Sequence, residues 1–219
     1  MKNMFLLLVV VTVSLTGCKG VYSGDLATVT KQNEYFFPIG TTEASYRGTF
    51  SGSPYAENYG KFGHTEKEVK IVINELNVSE YDDLFSLSSL GEGNLYELRI
   101  EPEFDSDWDG RDSIGYFYVT ADRIYRFFSS DYLIESYGID GYIVCQVEGL
   151  EDPFLDSDEI GIHHWLEVDG DKRIFHFWVI GYIAVTYYET MIWEVDKGLV
   201  HFRSGFGAER DGMELNLID

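Results

Sequence analysis

The chain has 219 residues, of which 38 are acidic and 16 basic, giving a formal net charge of −22 at pH 7. A surface of that sign repels phosphate backbones, whose binding relies on Lys and Arg, so nucleic acid is excluded as an expected partner. Apolar residues make up 45% of the chain and aromatic residues 16%, which is enough to bury a core and places the chain outside the disordered class.

At the N-terminus, Lys2 supplies a small positive region and Phe5 to Leu15 an apolar one, followed at once by Leu15-Thr16-Gly17-Cys18. A charged start, an apolar stretch of roughly 7–15 residues and small residues at a cleavage site make a secretory signal. The apolar stretch is shorter than the about 20 residues that span a bilayer. Leu15-Thr16-Gly17-Cys18 resembles the lipobox of bacterial lipoproteins. That resemblance implies removal of residues 1–17, a lipid such as palmitate on Cys18, and attachment to the extracytoplasmic face of the cell membrane or the outer membrane. One acyl chain binds only marginally, so stable anchoring implies two or more on Cys18.

Residues 18–45 mix Gly, Thr, Asn, Gln and charges without a clear period. They read as a tether with one early strand near Tyr35-Phe36-Phe37. A flexible stretch of about 25 residues reaches about 25–30 Å. Residues 46–219 read as a single domain of strands and turns. Val69, Ile71 and Ile73 alternate on one face of residues 67–74. A helix is expected over 79–87, capped by Ser79 with Asp82 three residues on. Further strands are expected at 95–100, 114–119, 123–128 and 141–147. Asp169-Gly170 marks a hairpin between 162–168 and 173–180. Residues 184–195, 199–203 and 213–218 complete the series. The expected fold class is all-β, a single antiparallel sandwich or barrel of about 8–11 strands with one short helix.

Asp105-Ser-Asp107-Trp-Asp109-Gly110-Arg-Asp112 matches the first six positions of a Ca²⁺ loop, D-x-[DN]-x-[DN]-G. Ca²⁺ takes six to eight oxygens at about 2.3–2.6 Å, and alternate carboxylates on a sharp turn supply three of them. The resemblance to an EF-hand loop ends there, because the twelfth position is Tyr116 and the flanks read as strands. Asp105, Asp107, Asp109 and Asp112 are the candidate ligands, and Ca²⁺ is the one cofactor the sequence suggests.

His163 and His164 precede the Asp169-Gly170 turn, and His176 follows it. A two-residue turn there pairs His163 with His176, and a three-residue turn pairs His164 with His176, at about 5 Å between Cβ atoms. Such a pair serves metal binding or proton transfer. Alternation separates Phe175, Phe177 and Val179 from His176, Trp178 and Ile180. One set faces the core, and the other lines a cavity or forms an exposed stripe suited to a sugar or a protein. His163, His164, His176 and Trp178 are therefore the candidate ligand-lining residues. With Cys18 lipidated, Cys145 remains the single thiol, and alternation places it on one face with Ile143 and Val147 as a small core residue.

No G-x-S-x-G elbow, H-E-x-x-H, phosphate loop or dinucleotide fingerprint is present. The density of Tyr and Phe in the mature domain is similar to lipocalin-like barrels, with Tyr46-Arg-Gly-Thr-Phe50 a loose echo of that family's first-strand signature, without its G-x-W. This resemblance implies a barrel holding a small apolar ligand. The leading expectation is a membrane-anchored module that binds a protein or ligand without catalysis, and the alternatives are a lipocalin-like carrier and an envelope hydrolase.

Overall fold

The computed structural model describes residues 33–51, 65–101, 113–128, 141–148, 161–180, 185–206 and 211–218. The strands are β1 (Glu43–Ser51), β2 (Thr65–Leu76), β3 (Gly93–Glu101), β4 (Ser113–Thr120), β5 (Arg123–Phe127), β6 (Tyr142–Gln146), β7 (Ile162–Asp169), β8 (Lys172–Ile180), β9 (Val185–Glu194), β10 (Gly198–Phe206) and β11 (Asp211–Leu217). They form one antiparallel sheet in the order β6-β5-β4-β3-β2-β1-β11-β10-β9-β8-β7. The sheet curls into a nearly closed barrel, so the all-β class and the strand number follow the sequence expectation.

Alternation decides what fills it. Most inward positions of the strands are apolar, and Tyr46, Ile71, Leu98, Phe117, Phe175, Phe177, Met191, Trp193 and Phe202 meet inside with at most 2% exposure. Side chains thus occupy the described interior, as in other small barrels. The sheet has two free edges, β6 and β7. The Arg173 guanidinium on β8 reaches across to β6, with Nε donating to the Gln146 carbonyl at 2.8 Å and Nη2 to the Val147 carbonyl at 2.9 Å.

One end of the barrel is plugged from within the chain. Asn33 to Phe37 fold into a turn rather than the expected strand, and Tyr35, Phe36 and Phe37 are buried. Phe36 lies 6.0 Å from the Trp193 ring and 4.6 Å from that of Tyr96. Residues 33–45 of the expected tether therefore belong to the packed domain, because three consecutive aromatic rings bury more apolar surface as a plug than they could on a solvated linker. Asn33 fixes the turn: its Nδ2 donates to the Thr120 carbonyl at 3.1 Å, and its Oδ1 accepts from Tyr35 N–H at 3.0 Å.

The helix α1 (Val78–Phe85) begins one residue before the expected cap. Asn77 is the cap instead, accepting from Ser79 N–H at 3.2 Å while its Nδ2 donates to Glu80 at 3.1 Å. Ser86 then turns left-handed at φ 52°, ending the helix before a 3-10 turn at Leu87–Leu90. Phe85 stacks 4.5 Å from Phe127, so the helix covers the outer face of β3–β5, where Leu95, Tyr118 and Tyr125 are also buried.

Two registers differ from expectation. Asp169 pairs with Lys172, so the hairpin loop is Gly170-Asp171, with Gly170 at φ 56°. Glycine at the first central position of a two-residue loop takes the left-handed backbone that a primed turn needs. On β6, Ile124 pairs with Cys145 but Tyr125 pairs with Ile143, leaving Val144 as an extra residue. That bulge separates Cys145, fully buried in the barrel core, from Ile143, which packs with the outer cluster.

Candidate functional site

The outer face of β7, β8 and β9 gathers most of the predicted ligand-lining residues. The register pairs Trp165 with His176 and His163 with Trp178, two residues from the expected His163–His176 pairing and one from the alternative His164–His176 pairing. A shift of two keeps each side chain on its expected face and changes only its partner. Trp165 therefore replaces a histidine opposite His176, and no cross-strand His pair forms. His164 lies on the opposite face, where its ring meets Tyr142 at 4.9 Å. The three histidines do not converge, and among the described residues no three His, Cys, Asp or Glu side chains gather to hold a metal.

What forms instead is an aromatic array fixed by polar contacts. Trp165 and His176 stack at 4.5 Å with an interplanar angle of 18°, and Trp178 stands edge-on to Trp165 at 5.1 Å. The Trp165 indole N–H donates to Glu167 Oε1 at 2.8 Å, and the same oxygen lies 3.7 Å from His176 Nε2. Thr190 Oγ1 sits 3.4 Å from His176 Nδ1. Burial holds the His176 pKa below its ordinary value, with Glu167 pulling the other way, so the imidazole is biased towards neutrality. Beside it on β9, Tyr188 receives the Arg203 guanidinium over its ring at 5.2 Å. Trp178 and Ile180 are 40% and 39% exposed. Whereas α1 covers β3–β5, no described element covers this face. Rigid rings there present area, and their polar edges can set the orientation of whatever meets them.

A second arrangement lies inside the barrel, and sequence reasoning missed it. Arg126 on β5 and Glu189 on β9 meet across the interior, Nη2 to Oε1 at 2.6 Å, with side-chain exposures of 5% and 1%. The same Nη2 donates to the Ile114 carbonyl at 2.8 Å, and the Tyr187 hydroxyl donates to Glu189 Oε1. Arg126 stacks 4.5 Å over Phe128 and runs past Gly115, where an added Cβ would come within 3.5 Å of Nε. Burial pushes the Glu189 carboxyl above its usual range, against Arg126 and Tyr187. The signal was present in the alternation. Each is a lone charge on an apolar face, Arg126 between Ile124 and Phe128, and Glu189 between Tyr187 and Met191. The pair ties two distant strands together.

Cys145 is fully buried, and burial pushes its thiol pKa up, so it is a core side chain rather than a nucleophile. Cys18 and the loop carrying Asp105, Asp107, Asp109 and Asp112 lie outside the described residues. No family model, no curated protein and no solved structure matches this chain.

Proposed function

We propose that the protein is a lipid-anchored module on the extracytoplasmic face of a membrane, acting by binding rather than by catalysis, and that the outer face of β7–β9 is its contact surface. The observation that carries this reading is the solvent-facing Trp165–His176–Trp178 array, held in place by Glu167 and Thr190 and left uncovered by any described element. The chosen partner is another envelope protein. Ile180 beside the rings is aliphatic surface of the kind protein interfaces bury, and a net charge of −22 favours a partner with a basic rim. The lipocalin-like alternative needs free apolar space inside the barrel. The described interior is filled by Phe117, Phe177, Trp193 and Phe202, which is why the outer face is preferred.

Anchoring rests on the lipobox at Leu15–Cys18. The 14 residues 19–32 between Cys18 and the described domain can span at most about 50 Å. That keeps the plugged end, where residue 33 enters, nearer the membrane than a long linker would. The membrane interaction then comes from the lipid, since an acidic domain gains nothing from anionic headgroups. Two experiments test the reading together. Cys18→Ser is expected to move the protein from the membrane fraction to the soluble extracytoplasmic fraction. A photo-crosslinking residue placed at His163 or Ile180 is expected to give one discrete protein adduct in cells, weakened by Trp178→Ala and absent when the probe is at Arg47. Equal adducts at all three positions, or none at any, would overturn the contact surface.

A further inference from the structure

A pocket of about 430 Å³ opens at the plugged end of the barrel. Its volume falls in the range of small-molecule sites, about 300–1,000 Å³. It lies between the plug and the ends of β2, β3 and β4. Ile73 and Val119 give it an apolar floor, and the rings of Phe36 and Tyr96, 4.6 Å apart, make one wall. Asn94 borders it and donates to the Tyr96 hydroxyl at 3.4 Å. The roof is the Pro38–Thr41 turn, closed by Thr41 N–H donating to the Pro38 carbonyl at 3.0 Å, with Ile39 at its tip 82% exposed. The Thr42 carbonyl accepts from Ile73 N–H at 2.9 Å, tying that roof to β2.

Glu75 is the single charged residue in this lining. It is the direct cross-strand partner of Tyr96, and alternation along β2 places it on the same face as Val69, Ile71 and Ile73. Among the described residues it makes no ion pair and no hydrogen bond. A carboxylate beside two aromatic rings, above an apolar floor, has the chemistry of an ammonium site. The carboxylate supplies the counter-charge, the half-buried Tyr96 ring supplies cation–π attraction, and the floor takes an alkyl stem. Anions are disfavoured by Glu75 and by the charge of the whole chain.

We propose that this pocket binds an ammonium group carried on a short apolar stem, with Glu75 as counter-ion and Tyr96 and Phe36 as the aromatic wall. The site is separate from the outer face of β7–β9 and stands whether or not that face docks a partner. The amine could belong to a free metabolite or to a lipid headgroup, and the recognition chemistry is the same.

The test is calorimetric titration of the full chain in a non-ionic detergent with hexylammonium, hexanol and hexanoate. Hexylammonium is expected to bind, hexanol to bind roughly tenfold more weakly and hexanoate not at all. Glu75→Gln is expected to weaken hexylammonium roughly tenfold and leave hexanol unchanged. The exposed neighbour variant Glu92→Gln reports diffuse cation attraction and is expected to change nothing. Short-chain phosphatidylethanolamine then separates the sources: its binding assigns a lipid amine, and binding of hexylammonium alone assigns a free one. The proposal is overturned if no probe binds at millimolar concentration, if hexanol matches hexylammonium, or if Glu92→Gln weakens binding as much as Glu75→Gln.

Discussion

Arg126 and Glu189 sit almost without solvent in an otherwise apolar interior, and each is the other's compensation. Replacing only Glu189 by Ala leaves a buried guanidinium without its counter-charge, which is expected to cost about 3–5 kcal/mol in urea unfolding. Replacing both, as Arg126→Met with Glu189→Leu, is expected to recover most of that loss, because removing both charges removes both desolvation penalties. His176 carries a pH signature of its own. Its folded pKa lies below the ordinary 6.5, so the unfolded chain takes up the proton first. Its contribution to stability is full above 6.5 and is lost as pH falls through the lowered value. Unfolding midpoints measured on either side of that window are expected to show the loss in the wild type and a flatter profile in His176→Gln. These residues also show how far alternation reads. It separated Phe175, Phe177 and Val179 from His176, Trp178 and Ile180, and the structure puts the first set inside and the second outside. It could not pair Arg126 with Glu189, because 63 residues separate them and no local rule fixes which distant strands face each other.

Among the elements, the strands were the most legible because their period is local. Each strand expected from Val69 onwards exists within a few residues of its expected limits. The plug was not, because Tyr35-Phe36-Phe37 is as apolar as a strand and its turn depends on Asn33 reaching Thr120 across the barrel end. Its energetic weight is testable. Phe36→Ala is expected to destabilise by about 3–5 kcal/mol, as for other buried aromatic truncations, read by urea unfolding. Gly198→Ala is expected to be harmful as well. Gly198 has φ +86°, and a Cβ there would meet the Phe37 ring at 2.6 Å, so the plug could not seat. The hairpin teaches a related point. Asp169-Gly170 announced a turn, and the turn exists, but placing glycine first in the loop moved the register by two. That cost the expected His–His pair and created the Trp165–His176 stack.

Taken whole, the molecule is an almost closed sheet in which the edge strand β6 is tied to β8, beside the other edge, at the plugged end. Arg173 carries much of that closure, donating to the carbonyls of Gln146 in β6 and Val147 just after it and stacking 4.6 Å over Tyr35. Arg173→Met keeps the aliphatic stem and removes the donors. It is expected to raise amide hydrogen exchange in β6 while leaving β1, β2 and β11 protected, because those strands are paired on both sides. The sequence by itself determined the fold class and which side chains share a strand face, since both are written in neighbouring residues. Only the tertiary structure decided the remainder. It chose a curled sheet over a sandwich, turned an aromatic triplet into a plug and left the β7–β9 face uncovered by any described element. It also set Glu75 beside Tyr96 at the mouth of a pocket. Each of these depends on which distant strands become neighbours, and that is a competition among whole arrangements of buried surface rather than a property of any short stretch of chain.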